Sequence, residues 1–514
     1  MNLGEAFRDL PSLIAAHAAQ RPDAHALRAG GQSISYRSLQ LRMDRVAATL
    51  QGQGLGPGDA LALCAGSSID YLAVFLGALR AGLAVAPLAP SSTPAQLAAM
   101  AGDAGARAVF IDDAVAAQAV PWPCEVSAID ASGTALEAWL LPGAPVPKPV
   151  SIDPSWPFNI IYSSGTTGAP KGIVQPHGMR WAHIQRAALS GYAEDTVSLI
   201  ATPLYSNTTL VCVIPTLAQG GCAVLMPKFD ALAYLQLAQQ HRATHTMLVP
   251  VQYRRLMALP EFDRFDLSSF QNKFCTSAPF HADLKAELLR RWPGGLVEYY
   301  GLTEGGGTCI LQAHLHPHKL HTVGQPAEGH DLRLIDEEGT EIARVPGGAS
   351  ADMGEVVGRS SGMMTGYHGQ AALSAAAEWH DAQGQRFIRT GDVGRFDEDG
   401  FLLLLDRRKD MIISGGFNIY PSDIEAVLRT HPEVADAAVI GVLSAEWGET
   451  PAAYVVRREG LGPASADDAE ALRQWVNARV GKTQRLSGLR WAAELPRSAI
   501  GKVLKRELRL AWAG

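Results

Sequence analysis

Short, wholly apolar runs alternate with helical stretches through the first half of the chain, and this alternation constrains the fold more than any other feature. Leu39, Met43, Val46 and Leu50 repeat at helical spacing until the segment Gly54 to Gly58 stops them. Ala60-Leu61-Ala62-Leu63-Cys64 follows, then a helical stretch from Ile69 to Leu79, then Leu83-Ala84-Val85-Ala86. The pattern returns at Ala108-Val109-Phe110-Ile111, Phe158-Asn159-Ile160-Ile161 and Thr246-Met247-Leu248-Val249. Strand runs separated by helices and punctuated by glycine predict an α/β fold, a parallel sheet wrapped by helices. Ala89 to Ala98, rich in Ala, Ser and Pro, reads as a loop leading into a helix.

The pattern changes near Asp331. Short alternating strands such as Asp331-Leu332-Arg333-Leu334-Ile335, with turns at Glu338-Gly339 and Gly347-Gly348, predict a small β-rich, barrel-like unit closing a large N-terminal domain. Beyond the charged cluster Arg407-Arg408-Lys409-Asp410, two apolar strands (Val439 to Val442, Ala453 to Val456) and a helix near Ala469 to Val480 predict a smaller α+β domain. The expected organisation is therefore 1–406, with 331–406 as its β-rich subdomain, a hinge at 407–409, and a C-terminal domain at 410–514. A length of 514 residues accommodates these units at roughly 150 residues per domain.

Composition removes several function classes. Hydrophobic residues at 47% and charged residues at 18% supply a large core and exclude general disorder. A net charge of -7 gives no electrostatic reason to expect nucleic acid as a partner. The 6 cysteines are scattered without a CxxC pair, which predicts free, mostly buried thiols rather than a disulfide framework or zinc knuckle. Thr196 to Pro227 carries no charged side chain and exceeds the roughly 20 residues that span a bilayer. Pro203, Pro215, Gly220-Gly221 and Ser206-Asn207-Thr208-Thr209 interrupt it, so buried core with a polar turn is expected there, and no membrane span. The first residues lack a basic region followed by an apolar run, and a cytoplasmic enzyme, monomer or homodimer, is expected.

The segment Tyr162-Ser163-Ser164-Gly165-Thr166-Thr167-Gly168-Ala169-Pro170-Lys171-Gly172 follows the apolar strand at 158–161. Glycines let backbone N–H groups turn inward, hydroxyls add donors and Lys171 adds a point charge, which together make a phosphate cradle. The spacing differs from the GxxxxGK[ST] P-loop of the common nucleoside triphosphatases. The string resembles the nucleotide-binding signature of the AMP-forming adenylating enzymes: acyl- and aryl-CoA synthetases, peptide-synthetase adenylation domains and firefly luciferase. Further signatures occur in order, and the resemblance runs from about residue 30 to the C-terminus.

The resemblance implies roles for particular residues. Tyr300-Gly301-Leu302-Thr303-Glu304 is similar to the second signature, in which Tyr300 stacks on adenine, Thr303 touches the α-phosphate and Glu304 holds Mg²⁺. Ala278 and Pro279 join the nucleotide-binding set. Arg389-Thr390-Gly391-Asp392 resembles the third, with Asp392 accepting from the ribose hydroxyls, a task suited to a carboxylate. Asp406-Arg407-Arg408-Lys409-Asp410 resembles the hinge signature, with Arg407 near the ribose and Lys409 at the pivot. Arg497-Ser498-Ala499-Ile500-Gly501-Lys502 resembles the last, in which Lys502 reaches the carboxylate and α-phosphate during adenylation.

Ser414-Gly415-Gly416-Phe417-Asn418-Ile419-Tyr420-Pro421 resembles the corresponding string of acyl- and aryl-CoA ligases, so Gly415 and Gly416 are expected beside coenzyme A. The same segment also reads as a turn, with Pro421-Ser422 starting a helix. The implied acyl pocket includes Tyr205, Ser206, Asn207, Val249, Tyr253, Cys275, Gly301 and Gly305. Many CoA ligases carry histidine or an aromatic residue where Ser206 stands, so the gating role of that side chain is not carried over. No aspartate lies between Thr196 and Pro227 to pair with an α-ammonium, which disfavours an amino-acid substrate. Gly305-Gly306-Gly307 lack side chains that would block a cavity, which suggests room for a medium chain or a ring.

The expected activity is ATP- and Mg²⁺-dependent adenylation of a medium-chain, alicyclic or aryl carboxylic acid, followed by transfer to coenzyme A. An acyl carrier protein is the alternative acceptor. A binding protein without turnover is disfavoured because Lys171, Glu304, Asp392, Arg407 and Lys502 are all present. His314, His316, His318 and His321 cluster without a cysteine or acid among them and read as a surface loop rather than a metal site.

Overall fold

Ala60–Cys64 forms a strand buried along its whole length. Leu61 and Leu63 enter one core cluster, while Ala62 and Cys64 enter another with Leu97 and Ala101 of the helix Pro94–Asp103. Both faces of the strand are covered because side chains alternate with period two, and this is why the run is apolar throughout. The structure, a computed structural model, describes residues 6–130, 132–143, 145–163, 170–345, 348–407, 410–414, 417–444, 447–462, 465–498 and 501–513, with the backbone alone at 163, 406, 407, 417 and 418.

The chain divides into two compact units, Met1–Asp331 with Gly358–Ile388, and Leu332–Val357 with Arg389–Gly514. Residues 331–406 are thus shared between the units, and the chain passes from one to the other inside the strands Gly354–Arg359 and Arg386–Phe396.

Among the described residues, the first unit holds two large sheets. One runs in the order Gln325–Pro326, Cys309–Gln312, Gly295–Tyr300, Asn272–Cys275, His245–Leu248, Val197–Ile200, Cys222–Leu225, His25–Ala29, Gln32–Ser35. Its strands from Gly295–Tyr300 to His25–Ala29 are parallel, with antiparallel strands at both edges. The other runs Gly366–Tyr367, Lys171–Pro176, Pro157–Ser163, Ala84–Pro87, Ala60–Cys64, Ala106–Ile111, Val126–Ala128, and is parallel from Pro157–Ser163 onward. A continuous core draws side chains from both sheets and from the helices Tyr36–Gly52, Ile69–Arg80 and Asn207–Ala218. The Ile69–Arg80 helix is buried on every side except at Arg80. Each large apolar side chain enclosed there contributes about 1.5–3 kcal/mol. Gly77 lets that helix close on its neighbour, since a Cβ there would stand 2.4 Å from Val46.

In the second unit Val434–Ser444 and Gly448–Arg457 pair antiparallel, and Gly488–Ala492 adds parallel to the latter. Ala437, Val439, Ala453 and Val455 cluster with residues of the helices Pro421–Arg429 and Ala466–Asn477. Ala438, Ile440, Ala452 and Tyr454 cluster with Leu508 of the helix Lys505–Ala513. The predicted α/β and α+β character is borne out in both units.

Two local expectations are corrected. The segment 89–98 is not loop throughout, because a helix already starts at Pro94, with Thr93 and Gln96 exchanging cap hydrogen bonds. The polar run at 206–209 is not a turn between core segments. Ser206 is the N-cap position and Asn207-Thr208-Thr209 form the first turn of a buried helix, where Thr209 Oγ1 donates to the Pro203 carbonyl at 2.6 Å. Pro215 lies inside this helix rather than ending it, forgoing one intrahelical bond. Among the described residues no helix is long and apolar enough to cross a membrane. All six cysteines are free, and all but Cys124 are buried.

Candidate active site

The strands Pro157–Ser163 and Lys171–Pro176 pair antiparallel, with Ser163 opposite Lys171. The segment between them is the proposed phosphate cradle, and Ser164, Gly165, Thr166, Thr167, Gly168 and Ala169 lie outside the described residues, as does the Ser163 side chain. The frame around the loop is described. Gly172 is required by the close pass of the hairpin, since a Cβ there would stand 2.8 Å from Ile160 Cγ2. Gln370 Nε2 donates to the Pro170 carbonyl at 2.9 Å and the His368 N–H to that of Gly172 at 2.7 Å. Lys171 therefore stands between two residues whose carbonyls are held, Pro170 and Gly172.

Tyr300, Gly301, Thr303 and Glu304 leave the C-terminal end of the strand Gly295–Tyr300, and Ala278 and Pro279 leave that of the neighbouring parallel strand Asn272–Cys275. Ligand crevices of parallel sheets form at such ends. Ser277, between Cys275 and Ala278, holds a left-handed φ of 80°, a conformation unfavourable for a residue with a Cβ. Its hydroxyl meets Thr208 Oγ1 at 2.6 Å, which ties the turn to the first turn of the Asn207–Ala218 helix. Gly305 and Gly306 have a packing reason of their own. A Cβ would fall 2.0 Å from the Gly362 carbonyl at Gly305 and 2.7 Å from the Gly358 carbonyl at Gly306. At Gly301 it would meet Thr308 Oγ1 at 3.3 Å.

Of the expected acyl-pocket residues, Cys275 and Tyr253 lie near each other. Cys275 is paired with Glu298, whereas Phe274 and Tyr299, on the other face, stack at 5.6 Å. Tyr253 is fully enclosed, its ring 5.7 Å from Phe280 and its hydroxyl donating to the Phe274 carbonyl at 2.8 Å. Val249 is the buried N-cap of the Pro250–Met257 helix. Asn207, by contrast, accepts from Arg180 of the helix His177–Leu189 at 2.9 Å, on the side where Tyr299 meets Ser190 at 3.0 Å.

In the second unit Asp392 and Arg407 stand directly opposite each other on paired strands, so the two ribose-binding candidates share one spot on the sheet. Arg407 is described by its backbone alone. The turn before Asp392 is fixed by buried Glu355, which pairs with Arg389 and accepts from the Gly391 N–H at 3.3 Å. Lys502 is exposed on a tied loop in which Arg497 pairs across to Val503 and donates to the Gly501 carbonyl at 2.6 Å. Ser414 pairs with Phe417 across Gly415 and Gly416, which, with Lys409, lie outside the described residues.

The chain is similar to known proteins along its length. Residues 14–368 match the model of the AMP-binding enzyme family and residues 423–502 that of the AMP-binding enzyme C-terminal domain. The chain belongs to the AMP-binding enzyme family. A feruloyl-CoA synthase of Amycolatopsis sp is 33% identical over 95% of this chain and 96% of its own. A fatty acid–[acyl-carrier-protein] ligase, ScoC, of Streptomyces coeruleorubidus is 29% identical over 96% and 94%. The crystal structure of ATP-bound MatB from Rhodopseudomonas palustris superposes with a TM-score of 0.87, 28% identity, and coverage of 98% and 99%.

An AMP-binding enzyme works on ATP with Mg²⁺, and the residues present fit such a cation. Glu304 Oε1 accepts from the Tyr367 hydroxyl at 2.9 Å, which leaves the other carboxylate oxygen for a metal. One carboxylate plus substrate phosphates is an ordinary Mg²⁺ arrangement. Burial and the adjacent carboxylate push the Tyr367 phenol upward, so it stays a donor at neutral pH. Tyr367→Phe should lower apparent Mg²⁺ affinity about tenfold, the usual effect of losing a partner that orients a metal ligand. Mg²⁺ titration of pyrophosphate release checks this, and an unchanged midpoint would remove Tyr367 from the role.

Sequence reading missed the polar network beneath this site. Gln175 Nε2 donates to the Thr303 carbonyl at 2.6 Å, and Arg180 donates to Asn159 at 2.9 Å, to Asn207 and to Gln175. Arg180 is 1% exposed, and burial pulls its guanidinium down to about 9, still charged at neutral pH. The sole sequence signal was polar residues inside an otherwise apolar hairpin and helix. His316 and His318 pack edge to face at 6.2 Å, and no metal-binding group of three His, Cys, Asp or Glu side chains occurs among the described residues.

Proposed function

We propose that this AMP-binding enzyme adenylates a medium-chain, alicyclic or aryl carboxylic acid and transfers the acyl group to coenzyme A, releasing AMP and pyrophosphate. The observation that supports this most is the full complement of Lys171, Tyr300, Thr303, Glu304, Asp392, Arg407 and Lys502 in a chain that aligns over 95% of its length with a feruloyl-CoA synthase.

In this reading the carboxylate oxygen attacks the α-phosphorus and pyrophosphate leaves. Lys171 and Lys502 hold the charge that develops on the phosphate oxygens, preorganised so that no solvent need rearrange during the step. Tyr300 offers its ring to adenine, and Asp392 accepts from the ribose. Mg²⁺, when bound at Glu304, supplies charge neutralisation at the phosphates. The thiol then attacks the acyl carbon and AMP leaves. Two half-reactions at one carbon call for exchange of the groups around it, and a pivot at Lys409 within 407–409, with 410–514 moving, would provide that exchange. Gly415 and Gly416 would lie beside the pantetheine arm. A carrier-protein acceptor is the second reading, supported by the fatty acid–[acyl-carrier-protein] ligase similarity.

Pyrophosphate and AMP release over a panel of fatty, aryl, alicyclic and dicarboxylic acids, with and without coenzyme A, tests this. Turnover that depends on coenzyme A, with a thioester found by mass, is expected. Pyrophosphate release to a bound adenylate without thioester moves the acceptor to a carrier protein.

A further inference from the structure

The helix His177–Leu189 carries Arg180, His183 and Arg186 at three-residue spacing, which stacks them near one face. His330 joins them: Arg186 Nη1 meets its Nε2 at 2.8 Å, and the Thr308 N–H donates to its Nδ1 at 3.0 Å. Neither arginine forms an ion pair with a carboxylate among the described residues. Arg180 Nη1 and His183 Nδ1 are enclosed without a hydrogen-bond partner among the described residues. His183 is kept neutral by burial and by Arg186, Arg180 and His330 around it. Two cations and an imidazole with one unpaired nitrogen, Arg180 buried and Arg186 and His183 half-buried, face no carboxylate among the described residues, a costly arrangement unless a guest completes it.

The location connects this cluster to the reacting end of the acid. Arg180 braces Asn207 and, through Gln175, the Thr303 carbonyl, and Thr303 is the residue expected to touch the α-phosphate that the carboxylate attacks. Arg186 lies six residues further along the helix, about 9 Å of rise at ~1.5 Å per residue. There it sits beside Tyr299 and Thr308, at the C-terminal edge of the strand Gly295–Tyr300. His183 Nε2 lies 3.6 Å from where a Cβ on Gly362 would stand, and the Gly362 carbonyl accepts from Gly306. The cluster thus runs along the helix away from the Gln175–Arg180 end of the network, on the Asn207 side of the sheet.

We infer that Arg186 and His183 bind an oxygen function at the end of the acid remote from the reacting carboxyl, a hydroxyl or a second carboxylate. A guanidinium donates to either group, and a neutral imidazole either accepts from a hydroxyl or donates to a carboxylate, depending on its tautomer. The inference rests on the proposed acid-activating reading.

The test compares matched acids: cinnamic, 4-hydroxycinnamic and 4-carboxycinnamic acid, and, at shorter reach, hexanoic, 6-hydroxyhexanoic and adipic acid. In at least one series an oxygenated member should exceed its unsubstituted parent about tenfold or more in kcat/KM, as expected when a buried polar group is left unpaired. Which oxygenated member leads tells hydroxyl from carboxylate. Arg186→Met and His183→Leu should each collapse that ratio toward unity, and Arg186→Lys should restore part of it. A parent acid used as well as its oxygenated partners in both series, or variants that depress every acid equally, would overturn the inference. Equilibrium dialysis of the same acids reads the site independently of turnover. Selective binding without pyrophosphate release would sink the ligase reading and leave this one standing.

Discussion

Lys502→Ala is expected to cut adenylate formation about 10²–10³-fold, the loss typical of removing one preorganised charge donor from a transition state. The loop that presents Lys502 has the construction such a role needs. Gly501 takes a φ of 79°, Ser498 accepts the Lys502 N–H at 3.2 Å through Oγ, and Arg497 clamps the loop by its bond to the Gly501 carbonyl and its pair with Asp436. The side chain itself is exposed, so its truncation should change stability by no more than about 0.5 kcal/mol, and the loss reads chemistry rather than folding. ATP–pyrophosphate exchange isolates the first half-reaction. Thioester formation from separately prepared acyl-adenylate isolates the second, which should fall far less. Equal losses in the two assays would place Lys502 outside the adenylation step.

What the sequence disclosed and what it withheld divide along a physical line. Runs such as Ala60–Cys64, Ala106–Ile111 and Asp331–Ile335 were legible because burial on one or both faces writes itself into period and composition. Signature residues such as Asp392 and Arg407 were legible one at a time. That they oppose each other on paired strands was not, since register between strands leaves no mark in spacing. The supporting side chains escaped for the same reason. Tyr367 reaches Glu304 from 63 positions away, and Glu355 reaches Arg389 from 34. The helix start at Pro94 was legible in principle, because Thr93-Pro94-Ala95-Gln96 is a capping-box string, and composition misread it as loop. Strand alternation sets Cys275 on the face away from Phe274 and Tyr299, and packing encloses Tyr253, placements that position in the chain does not disclose.

The strand Gly295–Tyr300, which ends at the proposed adenine-stacking Tyr300, also carries a buried ion pair, and breaking it should have the largest effect on stability. Lys285, 1% exposed on the helix Ala282–Arg291, contacts the Glu298 carboxylate and donates to the carbonyls of Leu320 at 2.8 Å and Thr322 at 3.0 Å. Burial pushes the Glu298 carboxyl upward, and Lys285 is the group that opposes this. Lys285→Met leaves a carboxylate enclosed without its counter-charge and two carbonyls without their donor, which should cost about 3–5 kcal/mol. The pH dependence has a definite sign. With Lys285 gone the folded-state pKa of Glu298 rises further above its unfolded value, so stability is greatest below the unfolded carboxylate range and is lost as pH rises toward the folded value. The deficit measured by denaturant unfolding should therefore shrink as pH falls from neutral toward the carboxylate range. Lys285→Met combined with Glu298→Leu should recover part of the loss, because an apolar pair of similar volume removes the uncompensated charge. A single variant costing less than about 1 kcal/mol, or a double variant no better than the single, would show that Glu298 has solvent or another partner within reach and that Lys285 does not hold this strand in place.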